Sequence, residues 1–553
     1  MTTFPPGRDW DILIIGGGIT GAGILLEAAR RGLKALLVEQ RDFAWGTSSR
    51  SSKLVHGGLR YLTEGGLRLA RDAVREREAL LRAAPGLVEP QGFAIAALAG
   101  DPVSPGDGEG DGEVARPAYM TMLRMVDLLT GRREHRWDRG AERPGASRMA
   151  ALGGASESGG GAGAGARIPG GIRYTDAKTD DARLVLRVLD EARQHGATAL
   201  NYVTVQALVR DGGKVHGAML RDERSGAEHA VRARVVVNAT GAWSDLLDRD
   251  GPARSARLRP LRGTHLVLPG RRLALTQALS MLHPLDGRPV FVFPWEGVTL
   301  VGTTDVDHDE ALAREGRITR AEFDYLMAAL RAQFPQQGLL ESDVVATFAS
   351  VRPVAEGGAA PSSERREHLL WSEPGMISVA GGKLTTFRSI ALDVLRHLAP
   401  QLPGWQLRSD RAPVFARVAV PARHDLPAGV LRRLAGRHGA HVKPLLKAAQ
   451  AGELDVIPGT QTLWAELRWA ARAEQVHRLD DLMLRRTRLG LQLAGGGVEV
   501  LPRIRAICQP ELGWSDEHWE REVAAYLKAW RPQYGVPVAS QGAGAAVGAR
   551  LRQ

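Results

Sequence analysis

Cysteine is almost absent: the 553-residue chain holds one, Cys508. A single thiol excludes an internal disulfide and a cysteine-ligated iron–sulfur cluster. Aromatic residues make up only 5% of the chain. No stretch reaches the roughly 18 apolar residues that a membrane span needs. The opening segment, Met1 to Trp10, has no apolar signal core, so a cytosolic polypeptide is expected. Acidic residues are in deficit: 73 Lys and Arg against 62 Asp and Glu leave a net charge of +11. That balance suits anionic small substrates, anionic lipid or nucleic acid, and equally an arginine-rich surface with no such partner. The cluster Arg432, Arg433, Arg437 and Lys443 is a candidate lipid-facing patch. The length is too great for one core and implies two or three domains.

What is present is concentrated near the N-terminus. Four apolar residues, Ile12 to Ile15, run straight into Gly16-x-Gly18-x-x-Gly21. A helix-compatible stretch follows, Ile24 to Arg31, and then a second apolar run, Ala35 to Val38, that ends on Glu39. Strand, glycine turn, helix, strand and acid together form a dinucleotide-binding unit. Gly16 permits the tight turn, Gly18 lets a pyrophosphate approach the backbone, and Gly21 lets the helix pack closely on the strand. The helix N-terminus attracts phosphate charge, and Glu39 is placed to accept hydrogen bonds from a ribose. Spacing alone does not separate FAD from NAD.

Further along, residues 67–84 carry an amphipathic helical stripe, Leu67, Ala70, Val74 and Leu81. The segments 101–113 and 153–166 are rich in Gly and small or polar residues, and are expected to be surface insertions without chemistry. Strands are expected over 199–209, 215–221 and 233–237, the last running into Asn238-Ala-Thr240-Gly241. Residues 256–350 give several strands and one helix, 320–334, as a sheet-based substrate domain. Another apolar strand, 376–380, feeds Gly381-Gly382-Lys383 and a helix to about 398. The dinucleotide fold is therefore discontinuous. From Pro403 the pattern is helical, including a long stretch from Leu463 to Leu491.

These motifs occur in a recognisable order. Besides the glycine turn they include Thr47-Ser-Ser-Arg-Ser-Ser-Lys53-Leu-Val-His56-Gly-Gly-Leu-Arg60-Tyr61, Gly302-Thr303-Thr304-Asp305, Val351-Arg352-Pro353, Gly381-Gly382-Lys383-Leu384-Thr385-Thr386, and Leu479 to Gly490. The set resembles the FAD-dependent glycerol-3-phosphate dehydrogenases, of the glycine/D-amino-acid-oxidase structural class, over residues 9–535. The resemblance selects FAD over NAD. The expected fold is α/β plus α. It has a discontinuous Rossmann-like FAD-binding domain (9–90, 180–258 and 345–398) and a substrate or cap domain with the Gly-rich insertions (91–179 and 259–344). A C-terminal helical domain (400–535) and a flexible tail (539–553) complete it. The implied reaction is oxidation of sn-glycerol 3-phosphate to dihydroxyacetone phosphate, with electrons passed to a membrane quinone. The implied location is the inner face of the cell membrane, held peripherally.

That chemistry needs a phosphate clamp, a base and a stabiliser of negative charge. Arginine suits the phosphate because its fork donates bidentately and stays charged. The candidates are Arg60, Arg352 and Arg366, with Tyr61 and Thr303 as further substrate contacts. Lys383, in a glycine turn at a strand end, is the cation for reduced cofactor or phosphate. Histidine is the simplest base near neutral pH. Resemblance favours His265 for that role and sets His56 beside the flavin. Thr47, Ser48, Ser52 and Lys53 suit pyrophosphate and ribityl contacts. Val203 is expected to meet the adenine through its backbone, and Gly241, Gly382, Leu384 and Thr385 to line the cofactor. The run Arg485-Arg486-Thr487-Arg488 is a solvated or an interdomain face. Expected partners are the substrate, a quinone, an anionic membrane surface and a second copy of the chain, with no nucleic acid. The competing readings are an oxidase that hands electrons to oxygen and a flavin-bearing protein that binds RNA.

Overall fold

The computed structural model describes residues 9–57, 67–96, 136–137, 172–247, 258–308, 310, 315–355, 368–408, 412–421 and 425–538. The segments 101–113, 153–166 and 539–553 lie outside the described residues, as do Arg60, Tyr61 and Arg366.

The strand Trp10–Ile15 runs parallel to Ala35–Glu39 on one side and to Glu228–Asn238 on the other. Thr198–Asn201 extends the sheet beyond Ala35–Glu39, and Met376–Gly381 extends it beyond Glu228–Asn238. Ile12, Leu13 and Ile14 are fully buried, as befits a parallel strand covered on both faces. The helix Ile19–Ala29 lies between Asp181–Gln194 and Phe387–Leu398. A Cβ on Gly23 would stand 2.7 Å from the Phe387 ring, so this crossing needs glycine. The chain first builds one side of Trp10–Ile15, with Ala35–Glu39 and Thr198–Asn201, and then the other, with Glu228–Asn238 and Met376–Gly381. A crevice therefore opens at the carboxyl ends of Trp10–Ile15 and Glu228–Asn238, the usual ligand position in such sheets.

The strand expected over 199–209 is two strands. Tyr202 takes a left-handed backbone, φ 59°, and divides Thr198–Asn201 from Val203–Asp211. The second piece folds into an antiparallel meander with Lys214–Asp222 and Glu228–Asn238.

The other sheet is built around Leu258–Pro269, which pairs with Val298–Gly302 and with Ala346–Ala355. It continues through Pro289–Trp295, Ala278–Leu282, Val88–Ala96 and Ile172–Thr179 to Leu54–Val55. Two segments expected in the cofactor domain therefore hydrogen-bond into this sheet: Leu54–Val55 and Ala346–Ala355. Their apolar alternation fits either sheet, and it is the ten-residue register against Leu258–Pro269 that decides for the second. The helix Arg320–Gln333 covers this sheet and starts with a capping box, Thr319 and Glu322.

Among the described residues the C-terminal part is helical, with its longer helices at Ala428–His438, Trp464–Ala473, Leu501–Leu512 and Asp516–Tyr534. The helical stretch expected over 463–491 is interrupted. Gln475 and Arg488 adopt left-handed backbone, φ 52° and 66°, and Leu482–Arg486 form a π-turn. Tertiary ion pairs overrule the local helical pattern there. The side chains of Arg485 and Arg486 reach Asp42, and that of Arg488 reaches Asp181, all of them buried. The arginine run is an interdomain face. The lipid-facing reading of Arg433 and Arg437 is likewise corrected: Arg433 pairs with Glu466, and Arg437 with Asp180, inside the protein. Of that cluster only Arg432 and Lys443 are exposed, and Arg432 pairs with Glu89.

Candidate active site

The glycine turn builds one wall of the crevice. Gly16 has φ 114° and donates its N–H to Val38 O at 2.8 Å. A Cβ on Gly21 would stand 2.0 Å from Gly16 O, so only glycine lets the helix begin this close to the turn. The Ser48 hydroxyl accepts the Ile19 N–H at 3.0 Å, and a Cβ on Gly18 would lie 3.1 Å from it. Glu39 accepts from Gly17 N at 2.7 Å and from Arg41 N at 2.9 Å. Its carboxylate is thus anchored to the glycine turn after the first strand and to the loop after the second.

A cleft of about 380 Å³ follows from that wall. Gly16, Gly18, Glu39, Thr47, Ser48 and Val203 line one part of it. Gly241, Arg352, Gly382, Lys383 and Leu384 line another. Trp45, Trp243 and Thr240 also line it, although sequence reasoning passed them over. The two indoles lie 5.8 Å apart, and the usable signal was each tryptophan's place beside a turn glycine, Gly46 and Gly241. Thr240 is fixed by Asn238, whose Oδ1 accepts from the Thr240 hydroxyl at 2.6 Å.

Several expected contacts lie behind this lining. Gly21 sits beneath the turn, and Thr385 is buried at the start of the Phe387–Leu398 helix. Lys53 is fully buried, and its ammonium donates to Asp181 and to Ser49 O, both at 3.0 Å. Burial, and then the neighbouring Arg488, push it down to about 7. The side chain is therefore committed to the back of the 47–53 loop and does not face the cleft. Ser52 shares a 3.0 Å hydrogen bond with His265 Nε2.

The second sheet brings up the other wall. Arg352 donates to Thr304 O at 3.1 Å and pairs with Asp305 at 3.3 Å. A Cβ on Gly263 would stand 2.0 Å from Arg352 and 2.7 Å from the Thr303 hydroxyl, so glycine makes room for both. Gly302 does the same for the His265 ring, 2.2 Å from its hypothetical Cβ. Arg352, Thr303 and His265 are thus gathered at one strand end, and Arg352 also reaches the cleft.

The two histidines differ in kind. His265 is buried and stacked on Phe348, ring centroids 4.6 Å apart. Burial first, then Lys53 and Arg352, hold it well below the ordinary histidine range. It is neutral, and a proton placed on it would sit in a dry pocket between cations. His56 is partly exposed, with Nδ1 3.6 Å from the Asp176 carboxylate. Burial alone would raise Asp176, but His56 and Arg77 outweigh it and hold the carboxyl below its usual range. The His56 ring also lies 6.3 Å from Phe291, which is registered against Gly302. Both histidines therefore flank the Gly302–Thr303 strand end.

The lining answers the parts of a dinucleotide. It has a helix N-terminus and the hydroxyl residues Thr47, Ser48 and Ser51 for phosphates, a backbone-anchored acid for a ribose, and a glycine turn, Gly381 and Gly382, for a flat ring. The fold and cleft define a dinucleotide-dependent oxidoreductase. A sequence model of FAD dependent oxidoreductases matches residues 11–388. Another, of the C-terminal domain of alpha-glycerophosphate oxidase, matches residues 403–519. Glycerol-3-phosphate dehydrogenase 2 of Mycobacterium tuberculosis (strain ATCC 25618 / H37Rv) is 34% identical, covering 94% of this chain and 88% of its own. Aerobic glycerol-3-phosphate dehydrogenase of Staphylococcus haemolyticus (strain JCSC1435) is 31% identical, covering 87% of each. The X-ray structure of the glycerol-3-phosphate dehydrogenase from Bacillus halodurans complexed with FAD superposes with a TM-score of 0.70 at 28% identity, over 95% of each chain. The chain belongs to the FAD-dependent glycerol-3-phosphate dehydrogenase family. Its cofactor is FAD.

Proposed function

We propose that the protein oxidises sn-glycerol 3-phosphate to dihydroxyacetone phosphate in this cleft and delivers the electrons to a membrane quinone. The observation that carries the reading is Arg352. It is a guanidinium on the wall of the cofactor cleft, preset by Thr304 O and Asp305 and accompanied there by Lys383. A phosphate monoester is the ligand such a fork recognises best. The names and near-complete coverage of the relatives support the same substrate.

Bound FAD supplies the two-electron acceptor for the hydride that leaves C2. The chain does the rest. Arg352 binds the phosphate and fixes the orientation of C2, with Arg60, Tyr61, Thr303 and Arg366 as further proposed contacts. Lys383 balances negative charge at the same end of the cleft. His56 takes the hydroxyl proton, because Asp176 compensates the positive charge that results. His265, the base favoured from sequence, instead orients Ser52 and packs the floor. Gly16, Gly18, Glu39, Thr47, Ser48, Val203, Gly241, Gly382 and Leu384 are the proposed cofactor contacts.

Among the described residues no helix is long and apolar enough to cross a membrane. The proposed location is peripheral, at the cytoplasmic face of the membrane where a quinone is reachable. The match to an oxidase C-terminal domain favours oxygen as the second reading of the acceptor.

The test is an anaerobic absorbance spectrum of the purified holoenzyme. Bleaching of the flavin band by sn-glycerol 3-phosphate and not by glycerol is the expected result. A band that persists sinks the substrate. Reoxidation by a soluble quinone analogue, faster than by oxygen and without peroxide release, is expected for the acceptor; the reverse order establishes the oxidase.

A further inference from the structure

Among the described residues the helical domain brings no group to the cleft lining, yet its Leu479–Gly490 motif is buried in polar contacts with the cofactor domain. Those contacts converge on one loop. Residues 47–53 present Thr47, Ser48 and Ser51 to the cleft. Their other side is gripped almost residue by residue. Arg488 of the helical domain donates to Ser49 O and to Asp181, both at 2.7 Å. Arg50 donates to the Tyr534 hydroxyl at 3.0 and 2.8 Å, at the end of the last long helix. Asp181 in turn accepts from Ser51 N at 2.9 Å and from its hydroxyl at 2.7 Å. Arg488 and Lys53, the two cations that meet at Ser49 O, both adopt a left-handed backbone, φ 66° and 56°. Side chains other than glycine rarely do so, and here tertiary contacts hold them there.

We infer that Arg488 and Tyr534 are positioning residues for FAD: the helical domain clamps the back of the 47–53 loop and so sets how tightly its front holds the cofactor. The inference rests on FAD as the cofactor and not on the identity of the substrate. The physical reason is stiffness. The loop is a single 3₁₀ turn, Thr47–Ser49, too short to hold its own shape. The Thr47 hydroxyl donates to Val351 O and the Ser48 hydroxyl accepts the Ile19 N–H, and both bonds keep their geometry best while Ser49 and Arg50 are fixed behind them. An unfastened loop pays the cost of ordering at the moment of binding, which weakens the bound state. The clamp also explains the arginine at 488. A lysine there would offer a single nitrogen, whereas the guanidinium reaches Leu484 O from one nitrogen and Ser49 O and Asp181 from another.

The experiment compares Arg488→Lys and Tyr534→Phe with a control, Arg505→Gln, which breaks exposed ion pairs elsewhere in the same domain. Each holoenzyme is diluted without substrate, FAD release is followed by the fluorescence of free flavin, and folding is checked by circular dichroism. Both test variants are expected to release FAD on the order of tenfold faster, the scale of one charge-assisted hydrogen bond. The control keeps the parent rate. Folded Arg488→Lys and Tyr534→Phe proteins that release FAD at the parent rate overturn the proposal, and so does an equal acceleration in the control. If Arg488→Lys does not fold, Tyr534→Phe alone decides, since it removes one oxygen and keeps the ring. Because no glycerol 3-phosphate is present, the outcome is independent of whether that substrate is correct.

Discussion

Arg352 and Asp305 form an ion pair at the rim of the cofactor cleft, guanidinium to carboxylate at 3.3 Å. The carboxylate is nearly buried and also lies 3.9 Å from Arg288. The arginine is thus held extended and charged before any substrate arrives. In the proposed site an entering phosphate would meet a guanidinium whose position is already set.

Replacing Arg352 with alanine is expected to raise KM for sn-glycerol 3-phosphate by roughly 10- to 100-fold. That is the kinetic equivalent of one charge-assisted hydrogen bond, about 1.5–3 kcal/mol. FAD should stay bound, because the glycine turn and Glu39 are untouched. Steady-state kinetics with a parallel flavin count makes the test. An unchanged KM would take Arg352 out of the substrate site.

The two histidines give a second prediction. His56→Asn removes the group paired with Asp176 and is expected to lower kcat by roughly 10²-fold or more, the usual share of a general base. His265→Asn keeps a polar partner for Ser52 and is expected to cost far less. Should His265→Asn instead cost the larger share of kcat, the roles are reversed.

Much of this site was readable from the chain because its signals are local. Gly16, Gly18, Gly21 and Glu39 sit within one strand–turn–helix–strand unit, where spacing and backbone geometry are coupled. Lys383 was likewise legible as a charge just past a strand, whereas Arg352 lies within Ala346–Ala355. What escaped was decided at long range. His265 reads as a base in its motif, but its surroundings depend on Phe348 and on Ser52 and Lys53, from two other segments. Ala346–Ala355 could not be assigned to a sheet before its register was known. The helical pattern of 463–491 gave no warning of a break, because the break is enforced by Asp42 and Asp181, more than 300 residues away in sequence.

Those interdomain pairs make the fold acid-sensitive. Burial alone would raise Asp42, but Arg486 and Arg485 outweigh it and hold the carboxyl well below its usual range. Arg488 and Arg437 do the same for Asp180, and Arg183 and His438 for Glu474. A carboxyl whose value is lowered by folding stabilises the native state above its unfolded value and loses that contribution as pH falls below it. Unfolded Asp and Glu titrate near 4. The contribution of these three carboxyls to the thermal midpoint is therefore expected to be constant above about pH 5 and to be lost steeply below about pH 4. Asp42→Asn should lower the midpoint at neutral pH by the equivalent of about 3–5 kcal/mol, since it removes the carboxylate paired with buried Arg486, while Arg485 keeps Asp480 and Asp481. It should also show a shallower acid limb. A parent-like slope in that variant would mean that Asp42 does not carry the transition.

The last prediction concerns Gly21, where the tolerance of the site is smallest. A methyl group there would lie 2.0 Å from Gly16 O, a backbone atom that cannot swing aside. The helix must then shift away from the turn, carrying with it the Ile19 N–H that Ser48 accepts. Gly21→Ala is expected to cost about 1–3 kcal/mol in stability, the usual range for overpacking, and to weaken FAD retention. Gly32→Ala is the matched comparison, because its Cβ meets nothing within 4 Å and only its backbone, φ 80°, is penalised. If both variants lose FAD equally, the close approach at Gly21 is not what holds the cofactor. A loss confined to Gly21→Ala ties binding to the geometry of the turn itself, since the two substitutions add the same atom.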